Sequence, residues 1–276
     1  MEKQLELSTN RGKLMIISGL ISMAILFLIY SRLQNPVLTP ESISVLERVA
    51  FGFYIVLLLS FIGIGYGLYL YHKQKAKQND RGLLSIIAII TFNSKSRKIF
   101  IFTFIGYGIF FSLTSGILVY QPEVVFSVHY GAEIPSAHIT PCCGDPGYMP
   151  KLIAYLTEHV GLQIIPINLV LQMVVSYLVG LNVALAVNAI SISKKFGGMS
   201  GVGATTGLFI ACPTCVGSFL TLIIGSTGAV AFTVAIAQLQ TTFILITIPI
   251  LLATPFILAR KIKSKDPNCN LESSKK

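Results

Sequence analysis

The chain has 276 residues, of which 53% are hydrophobic and only 12% are charged, and its net charge is +10. A soluble domain typically carries roughly 25% charged residues, so this chain has too few to cover a water-facing surface, and lipid is the solvent that fits. The excess of basic residues flanks apolar blocks and has no interleaved aromatic residues. This arrangement argues against nucleic acid as a partner and indicates topology signals that contact the lipid bilayer.

Six apolar blocks follow one another along the chain, each long enough to cross a bilayer. They cover residues 14–30, 50–71, 99–120, 162–190, 202–224 and 229–259. The first is expected to be a retained helix, because residues 29–33 fit a signal-peptide cleavage site poorly. The sequence therefore predicts an all-α fold, a polytopic membrane helix bundle of about six transmembrane helices that forms a single membrane domain over residues 1–276.

The connecting segments differ in character. A basic loop over residues 72–98 contains a ten-residue apolar run, 83–92, which spans only about 15 Å as a helix and is predicted to be interfacial or re-entrant. A long loop over residues 121–161 contains five prolines, which excludes one continuous helix. Residues 151–160 within it are predicted to form a short amphipathic helix. A charged tail covers residues 260–276.

The basic residues predict the topology. If the chain crosses six times, 18 of the 21 Lys and Arg fall on the side that holds both termini, and only Arg32, Arg48 and Lys151 fall on the other. This positive-inside bias places both termini in the cytoplasm and the loop 121–161 outside, in a multi-pass protein of the cell membrane.

Small and polar residues predict how the spans pack. Glycines four residues apart let two helices approach closely, and they occur at Gly63 with Gly67, Gly197 with Gly201, and Gly203 with Gly207. The spans contain no Asp, Glu, Lys, Arg or His, which argues against a proton relay or a voltage sensor. Their amide side chains are expected to form hydrogen bonds between helices: Gln172, Asn182, Asn188 and Gln238.

The fifth span contains the sequence Cys212-Pro213-Thr214-Cys215. Two thiols three residues apart share a helical face and can close a disulfide or bind a soft metal. Pro213 cannot donate to the carbonyl of Phe209, so the helix is expected to restart there with Cys212 near its N-cap, where the helix dipole stabilises a thiolate. The alternative is a pair of ordinary buried cysteines. The four residues resemble the dithiol of thioredoxin-fold oxidoreductases, a likeness that implies chemistry and not fold.

The loop 121–161 carries a second cluster of reactive side chains. Imidazole and thiolate are ligands that suit copper and zinc, and the candidate ligands are His129, His138, Cys142, Cys143 and His159. The adjacent Cys142 and Cys143 can form a strained vicinal disulfide, bind one soft metal or pair with other thiols. The alternative is a turn-rich loop without a site. Cys269 in the tail is expected to be reduced and uninvolved.

Three functions are compatible with these patterns. The first is a membrane thiol–disulfide redox relay, with Cys212, Cys215, Cys142 and Cys143 as its catalytic residues. It resembles the general plan of the DsbB, VKOR and CcdA families, which implies an extracytoplasmic thiol protein or another membrane subunit as partner. The second is soft-metal binding or transport, similar in logic to the mercury carriers and the C-P-C helix of copper ATPases. The third is a non-enzymatic subunit or scaffold. The chain also resembles multi-pass archaeal membrane proteins with an A-C-P-T-C helix, which implies no activity.

Overall fold

The computed structural model describes residues 2–33, 40–78, 82–141, 147–195 and 248–260. The helices in these ranges are α1 (Glu2–Leu33), α2 (Pro40–Gln78), α3 (Leu83–Phe92), α4 (Ser94–Thr114), α5 (Phe126–Tyr130), α6 (Pro166–Lys195) and α7 (Ile248–Arg260). The strands are β1 (Leu118–Tyr120), β2 (Ser136–Thr140), β3 (Lys151–Tyr155) and β4 (Val160–Ile164).

Four of the described helices are long and apolar enough to cross a membrane. The candidate spans are Asn10–Leu33, Ile43–Lys77, Ser94–Leu113 and Pro166–Asn188. They match the first four predicted blocks, so the prediction of apolar helices of spanning length is confirmed for these four. The fifth predicted span, 202–224, and the first part of the sixth lie outside the described residues, and Ile248–Arg260 is the helical end of the sixth. The count of six and the placement of the termini stay predictions.

The all-α prediction is wrong for the long loop, which contains a small antiparallel sheet in the order β1-β4-β3-β2. The helix predicted over residues 151–160 is instead β3 and the turn that leads into β4. The third and fourth predicted spans also run too far, because residues 118–120 belong to β1 and residues 160–164 to β4. The physical reason is visible in β2 and β4, where apolar and polar side chains alternate with a period of two, as a sheet with one covered face requires.

The helices and strands group into two compact units. The first unit covers residues 1–74 and 109–173, and the second covers residues 75–108 and 174–276. In the first unit, Phe53 of α2 makes edge-to-face contacts with Phe27 and Tyr30 of α1, at ring-centroid distances of 5.5 and 5.1 Å. Met149, from the segment before β3, joins this buried cluster.

Close approach of α1 and α2 depends on glycine. A Cβ atom built on Gly67 would lie 3.0 Å from the carbonyl oxygen of Gly12, and one built on Gly19 would lie 2.6 Å from the side chain of Ile64. A Cβ atom on Gly63 would meet nothing within 4 Å. Gly67 therefore packs closely against Gly12 of α1, as its spacing predicts. Gly63, the other member of the predicted pair, has no close neighbour. The other two predicted glycine pairs lie outside the described residues.

In the second unit, α3 packs against α6 and α7. Ile86, Ile87 and Ile90 of α3 form a buried cluster with Leu185 of α6 and Ala259 of α7. The helix is therefore an integral part of this unit, and its ten residues remain too few to cross a bilayer. Whether it lies at the interface or re-enters stays a prediction.

The amide side chains of the spans bond between helices, as predicted. Gln172 Nε2 donates to Ser112 Oγ of α4 at 2.6 Å. Asn188 Nδ2 donates to Ser96 Oγ of α4 at 2.6 Å, and Asn182 Nδ2 donates to the carbonyl oxygen of Leu251 in α7 at 3.0 Å. The prediction is confirmed for these three, and Gln238 lies outside the described residues.

Candidate functional site

The sheet of the first unit has two unlike faces. Strand register and alternation place the polar side chains of β2, β3 and β4 on one face, together with Ile153 and Val119: Ser136, His138, Thr140, Lys151, Tyr155 and Gln163. They place mainly apolar side chains on the other, where Tyr120 lies at the edge: Ala137, Ile139, Leu152, Ala154, Leu162 and Ile164. Ile139 packs against the buried cluster of α1 and α2, so the apolar face is turned toward these two helices, whereas α5 packs on the polar face through Phe126 and Tyr130.

Two tyrosines attach the sheet region to the helices. Tyr30 Oη, at the end of α1, donates to the carbonyl oxygen of Pro141 at 2.6 Å. Tyr54 Oη of α2 lies 2.6 Å from the carbonyl oxygen of Pro150 and 2.9 Å from that of Ile164. A hydroxyl carries one hydrogen, so Tyr54 donates to these two acceptors in turn. The helices α1 and α2 thereby hold the loop by its backbone.

The predicted vicinal pair, Cys142 and Cys143, lies outside the described residues, but both flanks of residues 142–146 are fixed within the first unit. On one side, Pro141 is held by Tyr30. On the other, the carbonyl oxygen of Gly147 accepts a hydrogen bond of 3.0 Å from the backbone N–H of Ile167, in the first turn of α6. The cysteine-bearing segment is therefore joined at each end to residues that are bonded to a membrane-type helix.

His159 acts within the turn between β3 and β4. Its Nδ1 lies 3.2 Å from the carbonyl oxygen of Gln121 and 3.0 Å from that of Val124. Both partners are acceptors, so Nδ1 carries the hydrogen and donates. His159 thus ties the segment before α5 to the hairpin, a structural task that the metal prediction did not include.

Glu158, which the sequence reasoning missed, anchors α5. Its Oε2 accepts hydrogen bonds from the backbone N–H of Ser127 at 3.2 Å and from Ser127 Oγ at 2.6 Å. An acidic oxygen on the first free amides of a helix satisfies donors that have no helical partner. No local sequence pattern indicates this contact, because Glu158 follows Ser127 by 31 residues in the sequence.

The other two histidines flank a row of aromatic rings on the polar face. His138 lies 5.9 Å from Tyr155, measured between ring centroids, Tyr155 lies 6.3 Å from Tyr130, and Tyr130 lies 4.7 Å from His129. Phe126 of α5 packs beneath them, 5.3 Å from Tyr155. His129 and His138 thus sit at opposite ends of this row, and both are exposed.

The predicted copper or zinc ligands are only partly described. No group of three His, Cys, Asp or Glu within the described ranges is placed to hold a metal ion, so His129, His138 and His159 do not form one together. Cys142 and Cys143, the remaining ligands of that prediction, lie outside those ranges, as do Cys212, Cys215 and Cys269. What the structure brings together is a row of aromatic rings on one face of the sheet and the two residues, Pro141 and Gly147, that flank the cysteine segment.

Comparisons with protein-family models, with curated proteins and with solved structures found no match.

Proposed function

We propose that this chain is a multi-pass protein of the cell membrane that carries out thiol–disulfide exchange at its extracytoplasmic surface, with Cys142 and Cys143 as the outer exchange pair. Cys212 and Cys215 of the fifth span are the second pair of the relay. The partner is an extracytoplasmic protein with a reduced dithiol.

The observation that carries this proposal is the attachment of both flanks of the cysteine segment. A reactive pair that exchanges with a partner protein has to be held at a defined place, since misplacement by about 1 Å is costly for reaction geometry. The hydrogen bonds from Tyr30 to Pro141 and from Ile167 to Gly147 hold the residues on either side. They do so beside a sheet whose polar face carries the exposed His129 and His138.

The exchange balances without another reagent when the fifth-span pair starts as a disulfide. A thiolate of the partner attacks one sulfur of the Cys142–Cys143 disulfide, the S–S bond breaks, and the leaving sulfur takes up a proton. The partner's second thiol resolves the mixed disulfide, so the partner loses two electrons and the outer pair gains them. The outer dithiol then reduces the Cys212–Cys215 disulfide by the same two steps. Adjacent cysteines form a strained bond, which favours the first of these two reductions, and the second requires the Cys212–Cys215 disulfide to be the stronger oxidant of the two.

Thiol trapping in intact cells tests the relay. Cells that express the full chain are treated with a membrane-impermeant reductant and quenched in acid, and free thiols are alkylated with a mass tag that is read peptide by peptide. We expect Cys142 and Cys143 to be reduced first and Cys212 and Cys215 to follow. In the double variant Cys142→Ser/Cys143→Ser, the fifth-span pair should stay oxidised.

Cys269→Ser is the matched control, because this tail cysteine is outside the proposed relay, and it should leave the order of reduction unchanged. Three outcomes contradict the proposal. If Cys212 and Cys215 are reduced as fast in the double variant, the outer pair is not on their path. If all four remain thiols and the purified protein holds stoichiometric copper or zinc that the double variant loses, the protein binds metal. If the four never change state, the cysteines are structural.

A further inference from the structure

The net charge of the protein is concentrated in one of its two units. The second unit carries 14 of the 21 Lys and Arg and only 3 of the 11 Asp and Glu, whereas the first carries 7 and 8. The three acidic residues of the second unit lie outside the described residues, so its described part holds cations only.

Lys194 and Lys195 end α6, and six further cations of the described part of this unit come from the ends of three other helices that contact or adjoin α3. Ser85 Oγ of α3 donates to the carbonyl oxygen of Lys75 at 2.9 Å, which ties α3 to the end of α2. Phe100 near the start of α4 and Ala259 at the end of α7 both belong to the α3 cluster. These helix ends carry six cations: Lys75 and Lys77 from α2, Lys95, Arg97 and Lys98 from α4, and Arg260 from α7.

The charges at the start of α4 are unfavourable without a counter-charge. Lys95, Arg97 and Lys98 lie in or beside its first turn, which contains no acidic residue. The N-terminus of a helix carries a partial positive charge, so cations there raise the electrostatic energy by a few tenths of a kcal/mol each, and an anion lowers it. Five of the six cations around α3 are exposed, and Lys75 is half-buried, so they are reachable from outside the unit.

The helix that they surround is itself apolar. Every residue of α3 except Ser85 and Thr91 is apolar, and Leu84 leaves 45% of its surface exposed. An exposed Leu84 on an apolar helix whose neighbouring helix ends carry cations matches the border between lipid chains and anionic headgroups, where an apolar side chain enters the chain region and Lys and Arg reach the phosphates.

We infer that the cations around α3 form a binding surface for the headgroups of anionic phospholipids in the cytoplasmic leaflet, with α3 lying at that interface. Lys and Arg near a membrane surface gain about 1 kcal/mol each from anionic lipid, which corresponds to about fivefold in affinity per cation. This surface is separate from the proposed thiol exchange, because it involves neither the cysteines nor the first unit.

A lipid titration of the full chain, purified in a zwitterionic detergent, tests this surface. Fluorescent phosphatidylglycerol is the probe, and phosphatidylcholine with the same acyl chains is the matched neutral probe. We expect the wild type to bind phosphatidylglycerol more tightly, with an advantage that falls as NaCl rises. The triple variant Lys95→Gln/Arg97→Gln/Lys98→Gln should lose about fivefold per cation, on the order of 100-fold in all.

Two further variants keep the result interpretable. Arg32→Gln/Arg48→Gln/Lys151→Gln removes three cations from the first unit and should leave phosphatidylglycerol binding unchanged. Lys95→Arg/Lys98→Arg keeps the charge and should bind like the wild type, which separates loss of charge from loss of fold. Equal binding of the two lipids by the wild type overturns the inference. An equal loss of phosphatidylglycerol affinity in both triple variants also overturns it. Displacement of the lipid by millimolar inorganic phosphate would assign the surface to a small anion instead.

Discussion

Pro255 in α7 leaves a backbone acceptor free, and Asn182 of α6 satisfies it. In a regular helix the carbonyl of Leu251 would accept from the N–H of residue 255, but proline has none. The side-chain amide of Asn182 occupies this acceptor at 3.0 Å, and Leu251 is fully buried. Where no water reaches, such a substitute donor is what allows a proline inside an apolar helix.

The first prediction concerns this pair. Asn182→Leu should lower the free energy of unfolding by about 1–3 kcal/mol, because a buried carbonyl is left without a donor. Pro255→Ala restores the helical N–H, so in that background Asn182→Leu should cost less. Unfolding of the four proteins in detergent gives the coupling as a double-mutant cycle.

Asn188→Leu is the control for this cycle. Asn188 bonds to Ser96 and to the carbonyl oxygen of Ala184, and neither depends on Pro255. The loss in free energy of unfolding caused by Asn188→Leu should therefore be the same with Pro255 and with alanine at that position. If Pro255→Ala also leaves the loss caused by Asn182→Leu unchanged, the Asn182 side chain does not replace the missing backbone donor.

Among the helices, the contact of α1 with α2 shows that glycine spacing alone does not identify a packing surface. Gly63 and Gly67 have the spacing of a close-packing pair. Of the two, only Gly67 has a close neighbour: a Cβ atom built on it would lie 3.0 Å from the backbone of Gly12. A Cβ atom built on Gly63 would meet nothing within 4 Å. Spacing selects one face of a helix, whereas the crossing point selects which residue on that face touches the partner.

A matched pair of substitutions follows from this difference. Gly67→Ala should destabilise the protein by about 1–3 kcal/mol, because its Cβ atom meets backbone that cannot move aside. Gly63→Ala should be neutral or stabilise by up to about 1 kcal/mol, since alanine favours a helix and finds open space. Thermal unfolding in one detergent measures both. Equal effects of the two changes would contradict the α1–α2 contact.

For the molecule as a whole, the distribution of Lys and Arg along the chain predicts on which side of the membrane the termini and the sheet lie. With both termini in the cytoplasm and the sheet outside, an epitope tag at either end should resist protease added to intact cells. A tag inserted at residues 131–134, between α5 and β2, should be cut. Opposite results for the two terminal tags would mean an odd number of spans, and resistance of the inserted tag would place the sheet inside.

Much of the helical part of the fold followed from local pattern. The four candidate spans match predicted blocks, and Asn182, Asn188 and Gln172 bond between helices as expected. The sheet was missed because the five prolines and the weight of apolar sequence hid its alternation, although Ser136–Thr140 shows the period of two. Of the candidate site, the sequence named the reactive side chains, but the roles of Tyr30, Tyr54 and Glu158 as anchors were not visible in it.

The sequence by itself determined that this is a chain of membrane-type helices, because an apolar block of some 20 residues is a local property that needs no partner. Only the tertiary structure decided that the loop folds into a sheet with one apolar face, which glycine meets a neighbouring helix, and how the cysteine segment is held. These depend on residues distant in the chain, such as Tyr30 and Pro141, which are 111 positions apart. Such contacts exist only once the helices have packed.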